Sequence, residues 1–169
     1  LTAIAGNAQI DADLLSVISP AEIVINLVGI LAPSGQQTFS ALQAELPARI
    51  GRMAKEAGCR QIVHVSALGA KLKSQSTYAR TKAEGERGLL RQFPDAVIMQ
   101  PSIIFGPGDN FFNRFGQMAM FSPALPLIGG GTSLMQPVYV GDVADAVLAA
   151  LIMEEAKGKI YQLGGPQTY

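Results

Sequence analysis

Tyr78 and Lys82 stand four residues apart in the stretch Tyr78-Ala-Arg-Thr-Lys-Ala-Glu84. On a helix that spacing puts both side chains on one face. An ammonium beside a phenol stabilises the phenolate and lowers the tyrosine pKa toward the range of a working general acid or base. Ser66 lies twelve residues upstream, at the end of an apolar run. Open α/β sheets place their ligands at such strand ends. A serine hydroxyl there could hydrogen-bond a substrate oxygen while the tyrosine moves a proton. Taken alone the pair is a weak signal, because a tyrosine and a lysine on one helix usually form a solvated face.

The elements that must hold these groups alternate between apolar runs and amphipathic stretches, the pattern of repeated βα units over a parallel sheet. Residues 22–28 are β-branched and almost uniformly apolar, as a strand buried on both faces should be, and Gly29 follows them. Residues 38–57 carry helical periodicity through Phe39, Leu42, Leu46, Ile50 and Met53 and stop at Gly58. Pro47 inside that stretch predicts a kink or a break into two helices. A strand over 61–66, a polar loop over 69–77 and a helix over 78–93 follow. Residues 95–100 return to strand, ended by Pro101, and the loop 105–109 is too rich in glycine and proline to be regular. Helical periodicity resumes over 111–121. Pro123, Pro126 and Gly129 to Gly131 read as a connection, 136–140 as a short strand, 142–156 as a helix and 159–163 as a last strand.

Bulk properties narrow the function classes. Of 169 residues, 49% are apolar and 15% charged, which excludes a disordered chain and allows one domain with a sizeable core. Thirteen basic and thirteen acidic residues cancel, so no global field draws the chain to nucleic acid or an anionic membrane. The longest apolar stretch, 23–32, is too short for a bilayer span. Cys59 is the only cysteine and His64 the only histidine, excluding an intrachain disulfide and a multi-histidine metal site. Cys59 reads as a buried thiol. The chain opens on Leu1 rather than methionine, and both ends are expected to fall within ordered structure.

Context turns the tyrosine-lysine pair into a signature. Strand, Ser66, loop and Tyr78-Ala-Arg-Thr-Lys82 together resemble the active-site segment of the extended short-chain dehydrogenase/reductases, the NAD-dependent epimerase/dehydratase type. Gln100-Pro-Ser-Ile-Ile-Phe-Gly-Pro-Gly108 resembles the family's loop against the nicotinamide, and Pro137-Val-Tyr-Val-Gly-Asp-Val-Ala144 its short strand and helix start near the substrate region. The resemblance implies an α/β fold: an NAD(P)-binding, Rossmann-like, doubly wound parallel sheet over 1–169, with the small substrate-side region beginning at about 107–140. It also implies cofactor contacts from Leu27, Val28, Gly29, Pro101, Ser102, Ile103 and Ile104, besides Ser66, Tyr78 and Lys82. Gly29 has its own warrant, since a missing side chain permits close backbone approach.

Asn26-Leu-Val-Gly-Ile-Leu31, His64-Val-Ser-Ala-Leu-Gly69, Asn110-Phe-Phe-Asn113 and Leu125-Pro-Leu-Ile-Gly-Gly-Gly131 narrow the resemblance. They are similar to the atypical subgroup around the nucleotide-binding accessory subunit of respiratory complex I and its bacterial relatives. That implies bound NADP or NAD in a structural or regulatory role, partners among complex I subunits, and a peripheral place on a bacterial inner membrane, in the cytoplasm or on the mitochondrial matrix side. An active reductase, epimerase or dehydratase is the alternative, with Tyr78 moving the proton, Lys82 tuning it and Ser66 holding the substrate oxygen. A non-enzymatic interaction module with a degenerate site is the other. The family's glycine-rich pyrophosphate turn is absent, so the first βαβ unit is expected upstream of Leu1, with the residue that selects NAD over NADP.

His64 shares a strand face with Ser66, but residues two apart on a strand sit roughly 6.5 to 7 Å apart, too far for a direct bond. It reads as a packed strand histidine. Asp142 and Asp145 read as a helix N-cap and a first-turn acid. Met118, Met120 and Phe121 read as core or an interface patch.

Overall fold

Four of the apolar runs pair into one parallel sheet in the computed structural model, which describes residues 2–109, 120 and 134–169. Across the sheet the order is β1 (Ile23–Asn26), β2 (Gln61–Val65), β3 (Val97–Pro101) and β6 (Ile160–Leu163). Register is continuous: Asn26 pairs with His64, His64 with Ile98, and Ile98 with Ile160. A second, two-stranded parallel piece joins β4 (Ile104–Phe105) to β5 (Val138–Tyr139).

Side chains on a strand alternate between faces, and here each face has its own core. Ile62 and Ile98 pack with Leu46, Ile50 and Met53 of α2 (Leu46–Glu56) and Leu89 of α3 (Thr77–Gln92). Val63, Val97 and Met99 pack on the opposite face with Val147 and Ala150 of α4 (Val140–Ile152). Helices thus cover both faces. The sheet is doubly wound and Rossmann-like, as the alternating pattern predicts.

The break expected at Pro47 takes a specific form. Residues Ser40–Glu45 form a π-helical turn, in which the Leu46 N–H bonds to the Ala41 carbonyl five residues back, and α2 begins at Leu46 with the proline in its first turn. Proline has no N–H for the carbonyl four residues before it, so the register changes where its ring is best tolerated. α3 then packs on that turn without clearance: a Cβ on Gly85 would collide with the Gln43 carbonyl oxygen.

Several boundaries differ from the sequence reading. A helix that it does not include, α1 (Asp11–Ile18), buries Leu14 and Ile18 and is tied to α2 by the Arg49–Asp11 ion pair. Pro101 does not stop β3 but is its last residue, paired with Leu163. α4 starts at Val140, earlier than expected, because Tyr139 is the extended N-cap residue; Asp142 is a first-turn acid rather than the cap. Met120 is 78% exposed and so is not core. Residues 111–119 and 121 of the expected helix, with Met118, Phe121, Pro123, Pro126 and Gly129 to Gly131, lie outside the described residues, as do Asn110 to Asn113 and Leu125. Among the described residues, no helix is long and apolar enough to cross a membrane.

Candidate functional site

Ser66, Tyr78, Pro101, Ser102, Ile103 and Ile104 line one cavity of about 800 Å³ at the carboxyl ends of β2 and β3. Six of the sequence-predicted site residues therefore meet where a parallel sheet presents its ligands. Tyr78 enters from the first turn of α3, whose start is fixed by the Ser76 hydroxyl accepting the Ala79 N–H at 3.4 Å. Its ring packs edge-on against Phe39, with centroids 5.9 Å apart.

Lys82 follows one turn later but is set behind the cavity wall. Its side chain is buried, and Nζ donates to the Val65 carbonyl at 3.5 Å. Gly29 lies against it: a Cβ there would stand 3.1 Å from Nζ. The space opened by the missing side chain of Gly29 is thus taken by the lysine head. Leu27 is 69% exposed, while Val28 packs against the α2–α3 core and its N–H bonds to Asn26 Oδ1 at 3.1 Å. These three residues are not among the cavity's described lining.

The electrostatics depart from expectation. Burial pushes the Tyr78 phenol above its ordinary value. Burial also pulls the Lys82 ammonium down, with Glu86 opposing. Lysine was expected to lower the tyrosine, but its head turns to the Val65 carbonyl, and desolvation of the phenol is the larger effect.

Ser66 differs most from its expected role. Its hydroxyl donates to Glu86 Oε1 inside the protein. Gln100 Nε2 donates to both oxygens of the same carboxylate, at 2.9 and 3.0 Å, and Gln162 Nε2 donates to Gln100 Oε1 at 3.4 Å. Ser66, Glu86 and Gln100 are all buried. Burial raises the Glu86 pKa, against the bonds from Ser66 and Gln100 and the charge of Lys82. A hydroxyl has one proton. With that proton given to Glu86, Ser66 offers a substrate only lone pairs. The sequence reading missed Glu86 and Gln100. Their signals were a carboxylate four residues after Lys82 and a polar side chain closing an otherwise apolar strand.

His64 is a packed strand histidine, as expected. Asn26 Oδ1 is occupied by the Val28 N–H, so Asn26 Nδ2 donates to His64 Nδ1 at 3.0 Å. The ring then carries its hydrogen on Nε2, which is buried and has no hydrogen-bond partner among the described residues. Burial, followed by the charge of Lys82, lowers its pKa to about 3. Gln43, also missed, braces the site: its amide donates to the Ile30 carbonyl at 2.6 Å and accepts from the Thr81 hydroxyl at 2.9 Å. The loop after β1 and the helix carrying Tyr78 and Lys82 are thereby held to one side chain of the π-helical turn.

The chain is similar to known proteins. The model of the NAD dependent epimerase/dehydratase family matches residues 4–164. NADH dehydrogenase [ubiquinone] 1 alpha subcomplex subunit 9, mitochondrial, of Arabidopsis thaliana is 38% identical over 156 residues, covering 91% of this chain and 39% of the relative. Ceramide reductase of Caulobacter vibrioides is 33% identical over 129 residues, covering 76% of this chain and 40% of the relative. The chain thus spans about two-fifths of the length of these relatives. A solved dTDP-glucose 4,6-dehydratase double mutant from Streptomyces venezuelae, with NAD bound, superposes with a TM-score of 0.81 at 19% identity, over 97% of this chain and 58% of that one. At that identity the likeness is one of fold.

Proposed function

The chain belongs to the NAD-dependent epimerase/dehydratase family, and from that premise we propose that it is the nicotinamide-nucleotide-binding domain of a complex-I-associated protein, in which NAD or NADP serves a structural or regulatory purpose. The observation that carries this reading is the inward turn of Ser66 onto Glu86. The hydrogen-bond donor that would polarise a substrate carbonyl is engaged elsewhere, while Tyr78 and the run from Pro101 to Ile104 still line the cavity. Tyr78 and the run from Pro101 to Ile104 would flank the nicotinamide end, Lys82 beneath Gly29 would hold the ribose, and Leu27 and Val28 would run beside it. When bound, the nucleotide supplies a hydride donor or acceptor. The chain's own part is to bind it, orient it and exclude water from it. The partners on this reading are the nucleotide and subunits of respiratory complex I, with a peripheral place on a bacterial inner membrane or on the mitochondrial matrix side. Likeness to the Arabidopsis subunit supports it. The test uses the full-length protein: nucleotide should be released on denaturing the purified material, and Tyr78→Phe should leave both retention and complex assembly intact. A full-length protein that neither retains nor binds the nucleotide would sink the idea.

An active reductase is the second reading, favoured by Tyr78 on the cavity wall and by likeness to the Caulobacter ceramide reductase. There Tyr78 would donate the proton to a carbonyl oxygen, with Lys82 tuning it and with no help from Ser66 while Glu86 is ionised. Substrate-dependent loss of the reduced nicotinamide absorbance, abolished by Tyr78→Phe, would favour this reading over the first.

A further inference from the structure

Apolar side chains from several separate segments converge on the cavity that Tyr78 lines. Leu31 comes from the loop after β1, Leu68 from the loop after β2, Ile103 from the link between β3 and β4, Met135 from the segment before β5, and Val140 from the start of α4. Loops ordinarily carry polar side chains to water, yet Leu31 is 84% exposed, Leu68 41% and Val140 42%. A convergence of exposed apolar groups of this kind marks a binding surface rather than a stray residue. The polar groups on the wall are few: Tyr78, Ser102, Asp109, and Ser66 with its proton turned inward. Among the described lining residues there is no lysine or arginine to meet a phosphate. The volume, about 800 Å³, is that of a small-molecule site rather than a crevice between loops.

We propose that this cavity seats one uncharged aliphatic chain, its ketone or secondary alcohol head turned to Tyr78, and not a nucleotide-sugar. The proposal deepens the reading of this cleft as a nicotinamide-nucleotide site and rests on it. The chain gains affinity by removing Leu31, Leu68 and Val140 from water, and the phenol of Tyr78 provides the polar contact that fixes which end goes in. Loop side chains at the rim let the chain's far end emerge.

The test is calorimetric titration of the full-length, nucleotide-loaded protein with the 2-alkanones from butanone to dodecanone, beside UDP-glucose. Affinity should rise about fourfold for each added methylene until the cavity is filled, and UDP-glucose should not compete. Leu68→Lys, at an exposed position, should weaken decan-2-one about tenfold or more, while nucleotide affinity, followed by reduced-nicotinamide fluorescence, stays unchanged. Affinities flat with chain length, tighter binding of UDP-glucose, or an indifferent Leu68→Lys would each overturn the chain proposal while leaving the nucleotide reading standing. Chain-length dependence in a protein that binds no nucleotide would instead overturn that reading and keep the cavity.

Discussion

The Ser66 hydroxyl donates to the Glu86 carboxylate, linking the end of β2 to the middle of α3 beneath the candidate site. This makes Ser66 part of the frame. Ser66→Ala should therefore destabilise the protein by about 1–3 kcal/mol, since a buried carboxylate loses a donor. A serine that served only a substrate would leave the urea midpoint where it is, so equilibrium denaturation separates the two roles. Glu86→Leu, which strands Ser66 and Gln100 together, should cost at least as much.

Gly29 and Lys82 make the second prediction. Gly29→Ala would put a methyl 3.1 Å from Nζ. The lysine is flexible enough to give way, so stability should fall by less than about 1 kcal/mol. Nucleotide affinity should drop about threefold to tenfold, because a displaced ammonium loses part of a charge-assisted bond. Unchanged affinity would separate Lys82 from the nucleotide.

Acid should weaken the fold through His64. Its folded pKa is about 3, below the ordinary 6.5, so the unfolded state binds the extra proton first. Stability contributed this way is full above about pH 6.5 and is lost as pH falls toward 3. Glu86 acts in the opposite sense: its raised pKa means that the folded state takes up its proton first, so stability from that group is gained as pH falls from its folded value toward 4.5. His64→Gln should flatten the loss of urea midpoint between pH 7 and 4, and Glu86→Gln should steepen it. A wild-type midpoint that rises on acidification would overturn the assignment to His64.

Gly85→Ala tests the helix crossing. The added Cβ would meet the Gln43 carbonyl, which is backbone and cannot swing away, so a loss of about 3 kcal/mol or more is expected. Gly88→Ala is the control. Its Cβ would stand 3.1 Å from the Ala48 Cβ, a contact that a small helix shift relieves. Thermal denaturation of the two variants should separate them by at least several degrees.

The inner strands β2 and β3 were legible because strands buried on both faces read as apolar runs, Gln61 to Val65 even with His64 inside it. The edge strand β1 was also read as buried on both faces, but with no strand beyond it Ile25 is left exposed. That Tyr78, Pro101 and Ile104 would come near one another was legible because strand ends and a four-residue helical spacing are local properties. The direction of the Ser66 hydroxyl is not local. It depends on Glu86, twenty residues on, and on Gln100 from the next strand. Strand alternation puts Ser66 on the α3 side of the sheet, but only the packing of α3 shows that a carboxylate waits there. Gln43 was hidden for a similar reason, since a glutamine in an amphipathic helix gives no hint that it will bridge Ile30 and Thr81. α1 was overlooked because an eight-residue helix offers too few turns for a periodicity to assert itself.

Pro101 closes β3 with its carbonyl accepting the Leu68 N–H. In a parallel ladder, the residue that accepts there also donates its own N–H to the residue two before the partner, here the Ser66 carbonyl. Proline has nothing to donate. The rung to the Ser66 carbonyl is therefore missing by covalent necessity, while Pro101 keeps its pairing with Leu163 on its other side. One rung between the β2 and β3 segments is thus lost to a ring nitrogen, next to the residue whose hydroxyl is turned onto Glu86.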